Sequence, residues 1–479
     1  MKRLDSYSLM IVSKYFTSIT DFKNIEMVNK KFNGNMSKFH FNPIPLTSKT
    51  ISYFPNIETF HVYNTNEETF SNTILTNYPN KSETQHSFYK IVYWGSITYD
   101  NYINYSVENV EYKSIAITLK DVQTCKHPLS SAMNQLDYCR SLNNLRALTI
   151  PQSIKIISKL AFWEYNKIVE IDIPKSVCSL GDMTFKSCYK LKEINIPDGV
   201  TTLGDYCFYQ CYELEKITLP ESLHCVGEFC FSLCNALTSI SFNSPICEIK
   251  MGDSVFFMCG LQCFDMPENV MEIGKACFSE CKQLSAVTIK SNIKILKKQM
   301  FFKCTALVNL TFEGVQEIEE ECFFECYNLT QMCIPNSVFN IGRSSFAKCV
   351  NLREIKLGDN IRSLGPRCFV CCNQLSSIVF NDKIEVLGEY CFYHCKKLGI
   401  IELPTTVKTL KMWCFGYCRE LNQVTLNEGL KTIEKNCFSN CSSLKVIKIP
   451  DSVTTIGSGC FKNTKYEKFR TDFVSCHKK

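Results

Sequence analysis

The sequence is poor in the residues and motifs that most catalytic sites are built from. Seven histidines (His40, His61, His86, His127, His224, His394 and His477) are scattered over 479 residues, and none falls in an H-E-x-x-H pair. No G-x-S-x-G elbow, phosphate loop or dinucleotide fingerprint occurs, so the local signatures of metallohydrolases, serine hydrolases and nucleotide enzymes are missing. No apolar run reaches the ~20 residues of a membrane-spanning helix, which argues against membrane insertion. Charge in excess is small, at +6 over the chain, and outward positions mix Glu170, Asp172 and Glu193 with Lys216, Lys356 and Lys448. No basic stripe marks a nucleic-acid groove. Met1-Lys2-Arg3-Leu4-Asp5-Ser6-Tyr7 lacks the continuous apolar core of an export signal. Cys476-His477-Lys478-Lys479 lacks the aliphatic residues of a prenylation box.

What the chain has instead is a period. Phenylalanine returns about every 23 residues at Phe162, Phe185, Phe208, Phe231, Phe256, Phe278, Phe301, Phe323, Phe346, Phe369, Phe392, Phe415, Phe438 and Phe461. A fixed period of this length means that each unit is one supersecondary element burying its apolar face against its neighbours, so the array grows along one axis. Numbering one unit from Leu191, the pattern continues through Ile194 (position 4), Ile196 (6), Pro197 (7), Val200 (10), Leu203 (13), Gly204 (14), Cys207 (17), Phe208 (18) and Cys211 (21). The first six positions alternate as a strand, with Ile194 and Ile196 on one face and Glu193 and Asn195 on the other. Position 7 is proline in eight units and often Asn or Gly in the rest, turn residues that stop the strand. The spacing of Cys207 and Cys211 reads as one helical turn. Position 14 is glycine in nine units, but Ser158, Lys297, Glu319, Lys411 and Glu434 stand there in the others, which argues for a packing preference over a left-handed backbone.

The L-x-x-I-x-I core with I-P, I-G and F-x-x-C resembles the BspA-like class of leucine-rich repeats, over fourteen units from about Leu145 to Tyr466. Cysteine replaces the alanine that this class often carries before the phenylalanine, and the proline turn replaces the asparagine of better-known leucine-rich repeats, so their asparagine ladder is not assumed. The resemblance implies a parallel β solenoid, curved or twisted, with short helical or turn segments and a protein-binding role.

Of the thirty cysteines, twenty-one occupy positions 17 and 21. Without export, disulfides are not expected, and the sequons at Asn104 and Asn328 go unused. The repeated C-x-x-x-C is not the C-x-x-C knuckle of zinc sites. Free cysteine packs as a small hydrophobe, so reduced, structural thiols are expected and no metal or other cofactor is.

Residues 1–45 read as a small helical unit: Leu9, Val12 and Phe16 on one helix face, and Ile25, Val28 and Phe32 on a second helix capped at Thr20-Asp21 and ended by Gly34. Leu4, Val12 through Phe16 and Val28 through Phe32 resemble an F-box, departing from it where Leu4-Asp5 replaces the usual Leu-Pro. The resemblance implies docking of a Skp-type adaptor on Leu4, Leu9, Val12, Phe16, Val28 and Phe32; a plain helical cap on the solenoid is the other reading of the same helices. Residues 46–144, rich in Tyr, Asn, Thr and Ser, read as degenerate repeats capping residues 145–466, with a tail at 467–479.

The expected fold is therefore a leucine-rich-repeat-like parallel β solenoid behind a small helical unit. The expected function is non-catalytic protein binding in the cytoplasm, with the nucleus also open, and with a Skp/cullin-type ubiquitin-ligase receptor as one form of it. Cell-surface adhesion is the alternative. The partner surface is expected at the outward strand positions: Glu170, Asp172, Glu193, Asn195, Lys216, Thr218, Glu354, Lys356, Val446 and Lys448.

Overall fold

A computed structural model describes residues 6–64, 66–75, 85–118, 135–137, 150–243, 247–290 and 292–466. Leu4, most of residues 119–149 and the tail at 467–479 lie outside the described residues. The chain forms two compact units, one of residues 1–141 with 151–157 and one of residues 142–150 with 158–479.

The first unit begins with α1 (Ser6–Ser13) and α2 (Ile19–Val28). The cap of α2 is Ser18, not Thr20: its side chain accepts from the Asp21 amide while Asp21 accepts from the Ser18 amide at 3.0 Å, a reciprocal capping box. The second helix is also shorter than expected. It stops at Val28, Asn29 turns extended, and Lys30–Phe32 form a separate 3-10 turn before Gly34 at φ +72°. The core is consequently centred on Phe22, which meets Phe16, Phe39 and Phe54 edge-to-face with ring centroids 5.1 to 5.8 Å apart, the geometry ring quadrupoles prefer. Five strands follow in parallel order, Thr59–Val62, Lys90–Thr98, Val110–Thr118, Gln135–Asp137 and Ile156–Ile157. A short α3 (Tyr99–Tyr105) separates the second and third. Phe60, Phe70, Tyr93 and Tyr112 are buried between these elements.

The second unit is the solenoid. Each coil contributes a first strand at positions 3–5, such as Glu193–Asn195, and a second at positions 12–13, such as Thr202–Leu203. Each strand pairs in parallel with its equivalent about one period away: Ile194 with Ile171 and Ile217, and Leu203 with Leu180 and Val226. The fourteen phenylalanines are all fully buried. They form one unbroken stack, with successive centroids 5.0 to 5.8 Å apart and planes within 20°. The parallel-strand spacing of about 4.8 Å sets that repeat.

The third side of each coil differs from the helical turn read from C-x-x-x-C. Positions 16 and 20 both have positive φ, as in Tyr206 (56°) and Gln210 (62°), and the pattern recurs from Leu160 to Asn463 in 27 residues that are not glycine. Such a conformation costs an ordinary residue on the order of 1–2 kcal/mol. It persists because hydrogen bonds fix it on both sides. The amides of Tyr206, Phe208 and Gln210 donate forward to the carbonyls of Glu228, Cys230 and Ser232 in the next coil at 2.7 to 3.0 Å, while Tyr209 and Cys211 bond back within their own coil to Tyr206 and Phe208. The turns thus form a third inter-coil ladder, made from alternate residues.

Cysteine at position 21 completes it. The Cys234 thiol donates to the Phe208 carbonyl at 3.1 Å, and that same carbonyl accepts the Cys211 amide. Eleven coils repeat the thiol bond at 2.9 to 3.2 Å; Cys259, beside a longer coil, turns to the Cys234 carbonyl at 3.4 Å instead. Both lone pairs of a buried carbonyl are thus satisfied, one by an amide and one by a small thiol side chain. At position 17, where Thr184 and Ser345 replace cysteine, their hydroxyls donate to the Gly181 and Gly342 carbonyls at 2.6 and 2.8 Å. Every described cysteine is a free thiol. Burial pushes the position 21 thiols up, Cys259, Cys349 and Cys441 to about 12, which keeps the proton that the bond requires.

Position 14 glycine has ordinary φ, and its role is contact: a Cβ on Gly204 would lie 2.4 Å from the Asp182 amide nitrogen, and one on Gly457 2.4 Å from that of Lys435. Asparagine ladders are local. Asn381 and Asn427, at position 7, donate to the Gly358 and Pro404 carbonyls of the preceding coils at 2.6 and 2.8 Å.

Two outcomes follow from this core. Phe323→Ala should cost about 3–5 kcal/mol, read by denaturant unfolding of the full chain; a loss below about 1 kcal/mol contradicts the stack. The folded position 21 thiols ionise above their ordinary value of 9.0, so their contribution is whole below that pH and is lost as pH rises toward about 12. The unfolding temperature in reductant should hold to about pH 8.5 and then fall steadily; a flat profile to pH 11 contradicts the burial of protonated thiols.

Candidate interaction surface

The outward strand positions form rows. Glu170, Glu193, Lys216 and Ser239 stand in register, with Asp172, Asn195, Thr218 and Ser241 beside them. Glu354 and Lys356 lie in a separate sheet, between Gln331 and Ser377 and between Cys333 and Val379. Val446 and Lys448 end the last one, after Gln423 and Thr425. Position 3 is exposed in all of these strands, while position 4 is buried in each of them except at the part-buried Ile240. None of the ten expected residues makes an ion pair with another described residue, although Glu170 and Glu193 are direct neighbours. Like charges side by side oppose folding, so the acidic start of this face is not accounted for by stability.

The expected adaptor residues do not share one surface. Leu9 and Phe32 are buried and Phe16 packs on Phe22. Val12 and Val28 are exposed, together with Ile11, Tyr15 and Met27. The difference arises because α2 ends at Val28 and the 3-10 turn rotates Phe32 inward.

The spacing of position 20 residues by one coil builds a side-chain row on the turn side: Glu280, Lys303, Glu325 and Lys348 alternate in sign, with ion pairs at 4.0 Å between the first two and 2.6 Å between the last two. Further along, the row becomes aromatic. His394 stacks on Tyr417 (4.5 Å, 7°) and meets Tyr393 at 4.6 Å; Tyr393 lies against Tyr390, Trp413 and Tyr417 at 5.4 to 5.6 Å. Arg367 sits 5.3 Å from the Tyr390 ring centre. Gly416 makes the cluster possible, since a Cβ there would lie 2.5 Å from Trp413. The sequence signal was the recurrence of aromatics at positions 16, 19 and 20, which a helical reading of that segment spreads around an axis.

The cluster leaves little room for a Cys–His nucleophile. Burial, then Lys396 and Arg419, hold His394 below its ordinary value. Cys395 is buried with its thiol pushed well up and donating to the Phe369 carbonyl. The single C-x-x-C, Cys368 to Cys371, joins no group of three possible metal ligands among the described residues. No described helix is long and apolar enough to cross a membrane.

Similarity to known proteins follows the same coils. The family described as BspA type Leucine rich repeat region (6 copies) matches residues 135–252, 249–376 and 362–474. No curated protein matches the chain. Among solved structures, a leucine-rich repeat protein from Bacteroides ovatus ATCC 8483 is 25% identical, with a TM-score of 0.55, over 71% of this chain and 85% of that one. A leucine rich cell surface protein from Faecalibacterium prausnitzii A2-165 is 21% identical, with a TM-score of 0.36, over 66% and 88%. The pneumococcal vaccine antigen PcpA is 18% identical, with a TM-score of 0.45, over 69% and 91%. With the repeat match running from residue 135 to 474 and the period carried by stacked phenylalanines, the chain belongs to the BspA-type leucine-rich repeat family.

Proposed function

We propose that this protein is a non-catalytic scaffold that binds a protein partner through the exposed rows of its first strands. The observation that carries the reading is the contrast along the strands: position 4 is apolar and, but for the part-buried Ile240 and Leu310, buried from coil to coil, while positions 3 and 5 run from Glu170 and Asp172 through Lys216 and Thr218 to Val446 and Lys448 without ion pairs among themselves. A surface built on parallel strands and free of packing duty suits recognition, and interface energy concentrates in a few of its residues.

In the finer form of this proposal, α1 and α2 hold a Skp-type adaptor in the cytoplasm or nucleus and the solenoid presents a substrate for ubiquitin transfer. The exposed Ile11, Val12, Tyr15, Met27 and Val28 support an apolar contact there. Adhesion from a cell surface is the second reading, favoured by the family resemblance rather than by these helices.

Capture by the full-length protein separates these readings. Reversing Glu170, Asp172 and Glu193 to lysine should abolish a partner's capture with the unfolding temperature unchanged, and Val12→Asp with Val28→Asp should release an adaptor while retaining that partner. Normal binding by the strand-face variant rejects the strand-face reading. Labelling of the protein on intact cells by a membrane-impermeant reagent replaces the adaptor reading with adhesion.

A further inference from the structure

We propose that the aromatic cluster on the turn side, between Arg367 and Arg419, is a second docking site, and that its occupant is an acidic segment of a protein partner anchored by an aromatic or large apolar side chain. The inference is independent of the strand face. It rests on three observations: a preformed ring cluster, a surplus of unpaired cations around it, and the self-neutralised character of neighbouring coils.

The cluster joins Tyr390, Tyr393, His394, Trp413 and Tyr417 through contacts of 4.5 to 6.4 Å. All five are part-buried, so each keeps some surface in solvent. The inter-coil ladder fixes their backbones: the amides of Tyr390, His394 and Tyr417 donate to the carbonyls of Met412, Gly416 and Ser439 at 2.9 to 3.0 Å. Rings held in this way lose little further freedom on binding, and Trp, Tyr and Arg are the residues in which interface energy concentrates.

Charge selects the occupant. Glu420 is paired with Lys397 at 2.8 Å, and Glu434 with Lys411 at 2.9 Å. Glu434 also accepts the Met412 amide at 3.0 Å. Arg367, Lys396 and Arg419 have no carboxylate within ion-pair reach among the described residues, and of the acids on these two turn segments Glu389 is the one left to oppose them. In the coils before them the same row is neutralised by its own alternation of Glu280, Lys303, Glu325 and Lys348. An acidic chain therefore gains charge-assisted contacts here that the middle of the solenoid does not offer.

Ring geometry favours a peptide over a single-stranded nucleic acid. Bases bind by stacking on open aromatic faces, and here His394 already covers Tyr417, with planes 7° apart, while Tyr390 and Trp413 lie within 15° of parallel. Rings already paired in this way offer a base fewer open faces.

Selection of short random peptides displayed on phage, with the immobilised full-length protein as bait, tests the proposal. Enriched sequences should combine Asp or Glu with an aromatic residue, and synthetic copies should shift tryptophan emission in the parent but not in Trp413→Phe. Affinity should fall about tenfold or more in Lys396→Glu with Arg419→Glu, and should weaken as salt is raised, with the unfolding temperature of the variant unchanged. Enrichment without acidic bias, no enrichment, equal binding by the doubly reversed variant, or an emission shift driven by single-stranded oligonucleotide in place of peptide would each overturn it.

Discussion

One carbonyl per coil organises this molecule. The oxygen of each buried phenylalanine accepts an amide from its own turn and, in eleven coils, a thiol from the next. Leaving such an acceptor unsatisfied in an apolar interior costs about 1–3 kcal/mol, and the gap beside a ring stacked at about 5 Å admits a small side chain. Cysteine meets both demands. The requirement that it remain protonated is met by the same burial that creates the demand, and the alternating left-handed residues place the Phe208 carbonyl where the Cys234 thiol can reach it.

From this constraint the division of labour in each coil follows. Two ladders of strands, the first divided into four sheets and the second into two, and one unbroken ladder of turns hold successive coils in register, so side chains that point away from the axis are released from structural work. At positions 3 and 5 that freedom appears as rows of varied charge from Glu170 to Lys448. At positions 16, 19 and 20 it appears as the rings of Tyr206, Tyr209 and Phe229, then as compensating charge beside the stacked Phe302 and Phe324, and, beyond Lys348, as the rings around Trp413. A repeat protein with a monotonous interior can thus vary several external faces independently.

Much of the fold was legible because its interior is periodic. Phe208, Ile194, Ile196, Val200 and Leu203 are all buried where their spacing put them, and parallel pairing is what an identical unit repeated every 23 residues demands. The turn was misread because left-handed residues are normally announced by glycine, and here Tyr206, Gln210, His394 and Tyr417 adopt that conformation with only Gly459 carrying the usual mark. The hydrogen bonds that stabilise it run to the next coil, so no local window of sequence contains them. The aromatic cluster was hidden for the same reason, since Tyr393, Trp413 and Tyr417 meet through turn geometry. The start of α2 was misplaced because Ser18 competes with Thr20 as a cap and wins through the Asp21 carboxylate.

The central claim is that the turns are a hydrogen-bonded ladder equal in standing to the strands, and amide hydrogen exchange of the native protein measures this directly. The Phe208, Phe231 and Phe323 amides, which donate to Cys230, Val255 and Ser345 of the following coils, should exchange as slowly as the strand amides of Ile194 and Ile217, through whole-unit unfolding. Exchange of those phenylalanine amides at loop-like rates, with strand amides protected, would contradict the account.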